Sequence, residues 1–143
     1  MSRRVQLAAA ATMAIAAVMI VNFNVPRTAA QGNEQDITVS AKKFEFSPEE
    51  IHAKAGSHVK LTITSTDREH GIQISEFAEG APTSGDPGLK FAAGVDKPEF
   101  KLPKDKAVTV EFDAVKPGTY DFKCSEFCGT GHRGMKGRVV VEP

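Results

Sequence analysis

Apolar and polar residues alternate along most of the chain after residue 36. The clearest example, from His58 to Ser65, places Val59, Leu61 and Ile63 on one face. Alternation of this kind, bounded by Gly, Pro and Asp residues, predicts half-buried strands. It recurs in segments 37–46, 51–53, 70–75, 107–112, 120–122 and 136–142. Six or seven strands in about 110 residues predict an all-β fold, either an antiparallel sandwich or a barrel.

One internal segment, from Glu79 to Glu99, departs from this alternation and is rich in turn-forming residues. A stretch of this length inside a compact domain is either a functional loop or holds a short helix. In the second case, Phe91, Ala92 and Ala93 would form the apolar side of the helix.

The N-terminal segment has a different pattern, because between residues 5 and 21 only Gln6 and Thr12 are polar. This length and composition predict a hydrophobic helix that is either a signal peptide or a single membrane anchor, with a buried core helix as the alternative. The chain therefore divides into a leader or anchor, a linker and a β domain: residues 1–30, 31–36 and 37–143.

The residues that flank this helix predict export. Arg3 and Arg4 precede it, which places the rest of the chain outside the cytoplasm, on the periplasmic side. Residues 28–30, Thr-Ala-Ala, resemble a cleavage site, and residues 2–7 resemble a twin-arginine leader apart from Gln6. Both a membrane-anchored form and a secreted form are compatible with these features.

The net charge argues against one class of partner. The whole chain is neutral, whereas residues 31–143 contain 15 basic and 18 acidic residues. A faintly acidic domain lacks the basic surface of a nucleic-acid-binding protein. Its average charge is suited to weak docking onto a basic partner.

The candidate chemistry is concentrated in one stretch, CSEFCGTGHRGM, which runs from Cys124 to Met135 and contains the two cysteines of the chain. In an oxidising compartment two cysteines usually form a disulfide, which would leave His132 and Met135 without a role. Thiolate, imidazole and thioether together favour copper. Zinc sites rarely use methionine, and iron–sulfur clusters need more cysteines.

Two thiolates four residues apart can both bridge a pair of copper ions. Each ion then needs one imidazole and one weaker ligand. His132 and Met135 lie in the same stretch, and a backbone carbonyl between the cysteines can supply the other weak ligand. His70 is the best second histidine, because it begins a predicted strand after a polar turn and can lie at the end of the sandwich.

The CSEFCG motif at residues 124–129, with His132 and Met135, resembles the CuA signature of cytochrome c oxidase subunit II, and nitrous oxide reductase has a similar module. The resemblance implies a cupredoxin-like Greek-key sandwich or barrel with a mixed-valent dicopper centre. It also implies that the backbone carbonyl of Glu126 binds one copper, while the side chain faces oxidase subunit I. The implied metal ligands are His70, Cys124, Glu126, Cys128, His132 and Met135.

The function that this resemblance implies is one-electron transfer, from cytochrome c or a similar donor to a terminal oxidase. The chain shows no catalytic residues of its own, so any enzyme activity would belong to the complex. The alternatives are a free-standing periplasmic electron carrier, a copper-delivery or storage protein, and a structural sandwich with one disulfide.

Several residues outside the motif carry further expectations. The chain has no tryptophan, which the family usually has where electrons enter, and Tyr120, Phe122 or Phe127 is a candidate substitute. His52 and His58 are expected at the surface. Asp67 and Glu69 are expected in a solvated turn rather than as partners that orient His70. Phe44, Phe46, Phe112 and Phe122 are expected in the core.

Overall fold

The computed structural model describes residues 33–92, 95 and 97–143, so the predicted N-terminal helix lies outside the described residues. Ten strands and one 3-10 turn, His132–Gly134, make up this part of the chain. The strands are β1 (Glu34–Lys42), β2 (Glu45–Ser47), β3 (Glu50–Lys54), β4 (Ser57–Ser65), β5 (His70–Ile74), β6 (Leu89–Phe91), β7 (Glu99–Leu102), β8 (Ala107–Ala114), β9 (Gly118–Lys123) and β10 (Lys136–Glu142).

These strands form two five-stranded sheets that enclose one apolar core. The strand orders are β2-β1-β4-β8-β6 and β3-β10-β9-β5-β7. The all-β prediction is therefore confirmed, with β1 beginning at Glu34, inside the predicted linker. No helix in the described part of the chain is long and apolar enough to span a membrane.

The core is built from the positions that the alternation predicted. Val59, Leu61 and Ile63 of β4 are fully buried, because every second side chain of a strand points to the same face. Phe46 and Phe122 pack edge to face with ring centroids 5.2 Å apart, a favourable arrangement for aromatic pairs. Phe44 differs from the expected core set, since it is only partly buried.

Two strand pairs depart from the predicted antiparallel arrangement. β1 pairs in parallel with β4, and β3 pairs in parallel with β10, so each sheet is mixed. The alternation of side chains is the same for either strand direction. The sequence pattern therefore predicts strands and their inward faces without predicting which way neighbours run.

The expected single strand across residues 37–46 is instead two strands joined by a tight turn. Lys43 and Phe44 connect β1 to β2, and both have positive φ angles, 33° and 72°. Two-residue hairpin turns of this hand usually use Asn and Gly, so the sequence gives no turn signal here. The alternation continues across the turn, which hides the reversal.

The irregular segment from Glu79 to Glu99 is also corrected. Phe91 belongs to strand β6, which pairs with β8, rather than to a helix. Its ring packs against Phe112 at a centroid distance of 5.4 Å. A three-residue strand is too short to show a period, which explains the error, and Ala93 lies outside the described residues.

Candidate metal centre

The residues of the CuA-like motif lie at one end of the sandwich, on the connection between β9 and β10. This ligand loop, residues 124–135, is closed at its base by a hydrogen bond from the Cys124 N–H to the Met135 carbonyl at 2.9 Å. The 3-10 turn that begins at His132 lies within it. His70 reaches the loop from β5, as the sequence predicted.

The two thiols form the centre of the arrangement. Cys124 and Cys128 are both buried and are not disulfide-bonded. Their sulfur atoms lie 3.8 Å apart. Together with His70 they form a group whose donor atoms all lie within 4.8 Å of one another, close enough to hold a metal ion.

Cys124 has two further potential donors beside its sulfur. His70 Nδ1 lies 3.9 Å from Cys124 Sγ, and the backbone carbonyl oxygen of Glu126 lies 3.1 Å from it. The Cys124 thiol is therefore approached by an imidazole from strand β5 and by a carbonyl oxygen from the ligand loop.

Cys128 has a similar pair of neighbours. His132 Nδ1 lies 3.7 Å from Cys128 Sγ, and the Met135 Sδ lies 3.8 Å from it. Each sulfur is thus accompanied by one imidazole and one weaker donor, all within the compact cluster that the sequence predicted.

These spacings fit a metal-binding site. Metal–sulfur bonds of about 2.3 Å in a tetrahedral site place donors roughly 3.8 Å apart, close to most of the distances between these donors. Two thiols, two imidazoles and a thioether are soft donors. Such donors bind copper in preference to magnesium or calcium, which favour oxygen ligands. The residues present therefore fit copper.

Asp67 orients His70, contrary to the expectation of a solvated turn. Its Oδ1 lies 2.8 Å from His70 Nε2, and its Oδ2 accepts a 2.9 Å hydrogen bond from the Lys43 N–H. Burial opposes ionisation, but the hydrogen bonds from His70 and from the Lys43 and Arg68 N–H groups lower the pKa of Asp67 to about 2. An ionised carboxylate holds the proton on Nε2 and leaves Nδ1 free to bind a metal.

Arg68 contacts the ligand loop directly. Its Nη1 donates a hydrogen bond to the carbonyl oxygen of Cys128. Burial raises the pKa of the Cys128 thiol to about 11 and the Cys124 thiol adds to this effect, while the positive charge of Arg68 opposes it. Metal binding to Cys128 must therefore displace a proton near neutral pH.

Two close approaches fix the loop against the sandwich. A Cβ on Gly131 would lie 2.3 Å from the Phe44 ring, and a Cβ on Gly71 would lie 2.3 Å from Ser125 Oγ. Either would force the loop away from its support. Phe44 lies in a turn with a positive φ angle, and its ring packs against the ligand loop. This position explains why its side chain is outside the central core.

The outer surface of the loop carries an exposed aromatic ring. Phe127 is 81% exposed, and its ring centroid lies 5.8 Å from that of His132. Tyr120 and Phe122 are buried. Of the three proposed substitutes for tryptophan, Phe127 is therefore the one that a partner can touch.

The structure brings all six sequence-predicted site residues together: His70, Cys124, Glu126, Cys128, His132 and Met135. His52 and His58 lie on the outer surface with side chains 55% and 38% exposed, which confirms their expected position. Sequence reasoning missed Arg68 and Phe44. No pattern in their neighbourhood signals contact with a loop about sixty or more residues away.

A family model described as a cupredoxin-like domain matches residues 12–141. Cytochrome c oxidase subunit 2 of Thermus thermophilus is 28% identical over 110 residues, which is 77% of this chain and 67% of that protein. Nitrous-oxide reductase of Stutzerimonas stutzeri is 28% identical over 112 residues, which is 78% of this chain and 15% of that protein.

A similar solved structure is that of the dithionite-reduced auracyanin of Roseiflexus castenholzii. It superposes with a TM-score of 0.56 at 24% identity, and the match covers 76% of this chain and 98% of that chain. At this identity the likeness shows the fold. The curated relatives extend beyond the matched region, so their whole activities do not transfer with it.

Proposed function

Because this chain belongs to the cupredoxin-like domain family and is homologous to cytochrome c oxidase subunit II and to nitrous-oxide reductase, we propose that it transfers single electrons through a dinuclear CuA copper centre. The observation that carries this proposal is the pair of buried thiols 3.8 Å apart, each with an imidazole beside it. A mononuclear blue-copper site needs only one cysteine.

In this proposal Cys124 and Cys128 bridge the two coppers, while His70 and His132 supply the imidazoles. Met135 and the Glu126 carbonyl supply the weaker ligands. When bound by these residues, a pair of coppers would supply one-electron redox chemistry, with the charge change of each transfer spread over both ions. The protein keeps the ligands in place by burying both thiols and by tying the loop to Arg68 through the Cys128 carbonyl.

The proposed setting is a terminal oxidase, in which this domain acts as a subunit II-like part and accepts electrons from cytochrome c or a similar donor. Homology to oxidase subunit II supports association with such a complex. The Glu126 side chain is 37% exposed and lies 3.7 Å from Lys101, so it remains accessible to a second subunit. The proposed contact is with oxidase subunit I.

A free-standing periplasmic carrier is the second candidate, because the matched region covers nearly all of the auracyanin chain. A copper-delivery or storage role is less well supported, since exchange needs accessible ligands. His70, Cys128 and Met135 are each at most 1% exposed.

Copper stoichiometry tests the proposed centre. The full-length chain, reduced and then loaded with copper, is expected to hold two coppers that share one unpaired electron. Metal analysis with visible and EPR spectra measures both quantities. One copper per chain with the spectrum of a mononuclear site would overturn the dinuclear proposal.

Fractionation distinguishes the two settings. We propose that residues 1–30 act as a leader or anchor and that residues 37–143 form an extracytoplasmic domain. An intact N-terminus in the membrane fraction supports the oxidase subunit, whereas a mature N-terminus at Gln31 in the soluble envelope fraction supports the free carrier. Replacement of Arg3 and Arg4 by lysine blocks export only if the twin-arginine route is used.

A further inference from the structure

Three exposed cations directly adjoin the candidate metal ligands. Lys123 precedes Cys124, Arg133 follows His132, and Lys136 follows Met135. All three side chains are exposed. We call Lys123, Arg133 and Lys136 the basic patch.

The basic patch contains an unfavourable pair. Lys123 and Lys136 lie directly opposite each other on the antiparallel strands β9 and β10. Like charges in this position destabilise a sheet. Within the described residues no ion pair involves Lys123, Arg133 or Lys136, whereas Lys90 and Lys101 each pair with a carboxylate. Lys123 and Lys136 also line a separate cavity with four carboxylates, none of which pairs with either lysine in the described part of the chain: Glu49, Glu50, Glu79 and Asp121.

A cavity of ≈ 370 Å³ connects the patch to the candidate metal centre. Lys123 and Arg133 line it together with Cys124 and His132, and Glu99 is its one acidic residue. Ser125 also lines it, and its buried Oγ has no hydrogen-bond partner in the described part of the chain. Two of the three patch cations, Lys123 and Arg133, therefore line an opening that leads to two of the proposed copper ligands.

We propose that the basic patch is the docking surface for an acidic face of the redox protein that exchanges electrons with this domain. The proposal rests on the proposed function and adds the charge of the partner. It reverses the expectation from average charge, because residues 31–143 contain more acidic than basic residues. Local potential near the electron-transfer site, rather than net charge, orients an encounter.

The surface is tested without copper, by NMR titration of the reduced, metal-free full-length chain in neutral detergent with a hexaglutamate peptide. The triple variant Lys123→Gln, Arg133→Gln, Lys136→Gln removes the patch. A matched control, Lys54→Gln, Lys90→Gln, Lys116→Gln, removes the same charge elsewhere. We expect the peptide to shift the NMR signals of the patch amides. The affinity for the peptide should persist in the control and fall about tenfold in the patch variant.

Equal weakening in both variants, or binding to anionic vesicles without binding to hexaglutamate, would overturn an acidic protein partner.

The copper-loaded chain gives a second readout, the rate at which the reduced centre is oxidised by two oxidants of opposite charge. These are hexacyanoferrate(III) and tris(phenanthroline)cobalt(III). The patch variant is expected to slow the anionic oxidant and to speed the cationic one, and unchanged rates would contradict the proposal. Failure to form a dinuclear spectrum would count against the proposed function, while the peptide titration would still decide the surface.

Discussion

The two candidate histidine ligands lie in opposite surroundings. His70 is fully buried at the start of β5, and its Nε2 is held by Asp67. His132 lies in the 3-10 turn of the ligand loop, is only partly buried, and has the exposed Phe127 ring beside it. One imidazole therefore belongs to the rigid sandwich and the other to the surface that a partner can reach.

This difference would meet two separate requirements of the proposed electron transfer. Fixed ligands keep the rearrangement on each transfer small, and the β-sheet side supplies them through Asp67, which also binds the turn at Lys43. Exchange with a partner needs a ligand near the surface, and the loop side supplies it at His132. The asymmetry predicts which changes destroy the centre and which only modulate it.

The largest effect is expected from the two thiols, which lie between the β-sheet side with His70 and the loop side with His132. Cys128→Ser removes one proposed bridge, so the dinuclear visible and EPR spectrum should be lost or replaced by a mononuclear one. Cys124→Ser should behave alike. Ser125→Ala is the matched control in the same loop, because its Oγ makes no hydrogen bond in the described structure. A cysteine variant that keeps two coppers and the parent spectrum would refute the bridging role.

The comparison itself is tested by His70→Ala and His132→Ala. Both should weaken copper binding, but the first also leaves a cavity and removes the imidazole partner of Asp67. We expect His70→Ala to lower the free energy of unfolding of the metal-free chain by about 2 kcal/mol, and His132→Ala by much less. Added imidazole should restore the spectrum of His132→Ala, since that position is open to solvent, and not that of His70→Ala.

Equal losses of stability in His70→Ala and His132→Ala, or equal rescue of both by imidazole, would show that the two histidines do not differ in this way. Urea unfolding of the copper-free chain and a titration of the visible spectrum with imidazole measure the two quantities.

The sequence predicted which candidate ligands lie together better than it predicted the residues that support them. Cys124, Cys128, His132 and Met135 lie in one short stretch, and the types of their donor atoms favoured copper over zinc or an iron–sulfur cluster. Strand positions followed from alternation, as at Val59 and Leu61. Local sequence patterns thus predicted most of the strands and the set of candidate donors.

The support depends on contacts between distant parts of the chain. Arg68 looks like an ordinary turn residue, yet it binds the carbonyl of Cys128, sixty residues away. Phe44 continues a strand pattern, yet it occupies a turn against Gly131. Parallel pairing of β1 with β4 likewise leaves no local signal. Such features are set by tertiary packing, which a single sequence does not display.

A smaller effect is expected when the charge of Arg68 is removed. Reduction adds an electron to the proposed centre, and a neighbouring positive charge favours the reduced state. Arg68→Gln should therefore lower the reduction potential, by an amount equivalent to about 1 kcal/mol, while both coppers remain bound. Glu69→Gln, which alters the next residue of the same turn, is the control and should shift the potential less. Redox titration followed by the visible spectrum measures both, and an unchanged or raised potential in Arg68→Gln would contradict the assignment.

The smallest effect is expected at His58, a surface histidine that contrasts with both ligands. The hydrogen bond to Asp113 raises the pKa of His58 against a smaller opposing effect of burial. Folding therefore favours the protonated ring, and this stabilisation is fully present below the ordinary value of 6.5 and is lost as the pH rises through the higher folded pKa. His58→Gln should leave the copper spectrum unchanged and lower stability slightly at pH 5.5, with the difference fading by pH about 9. Urea unfolding of the copper-free chain at the two pH values tests this, and loss of the copper spectrum on the scale of His70→Ala would show that the wrong histidine has been assigned to the metal.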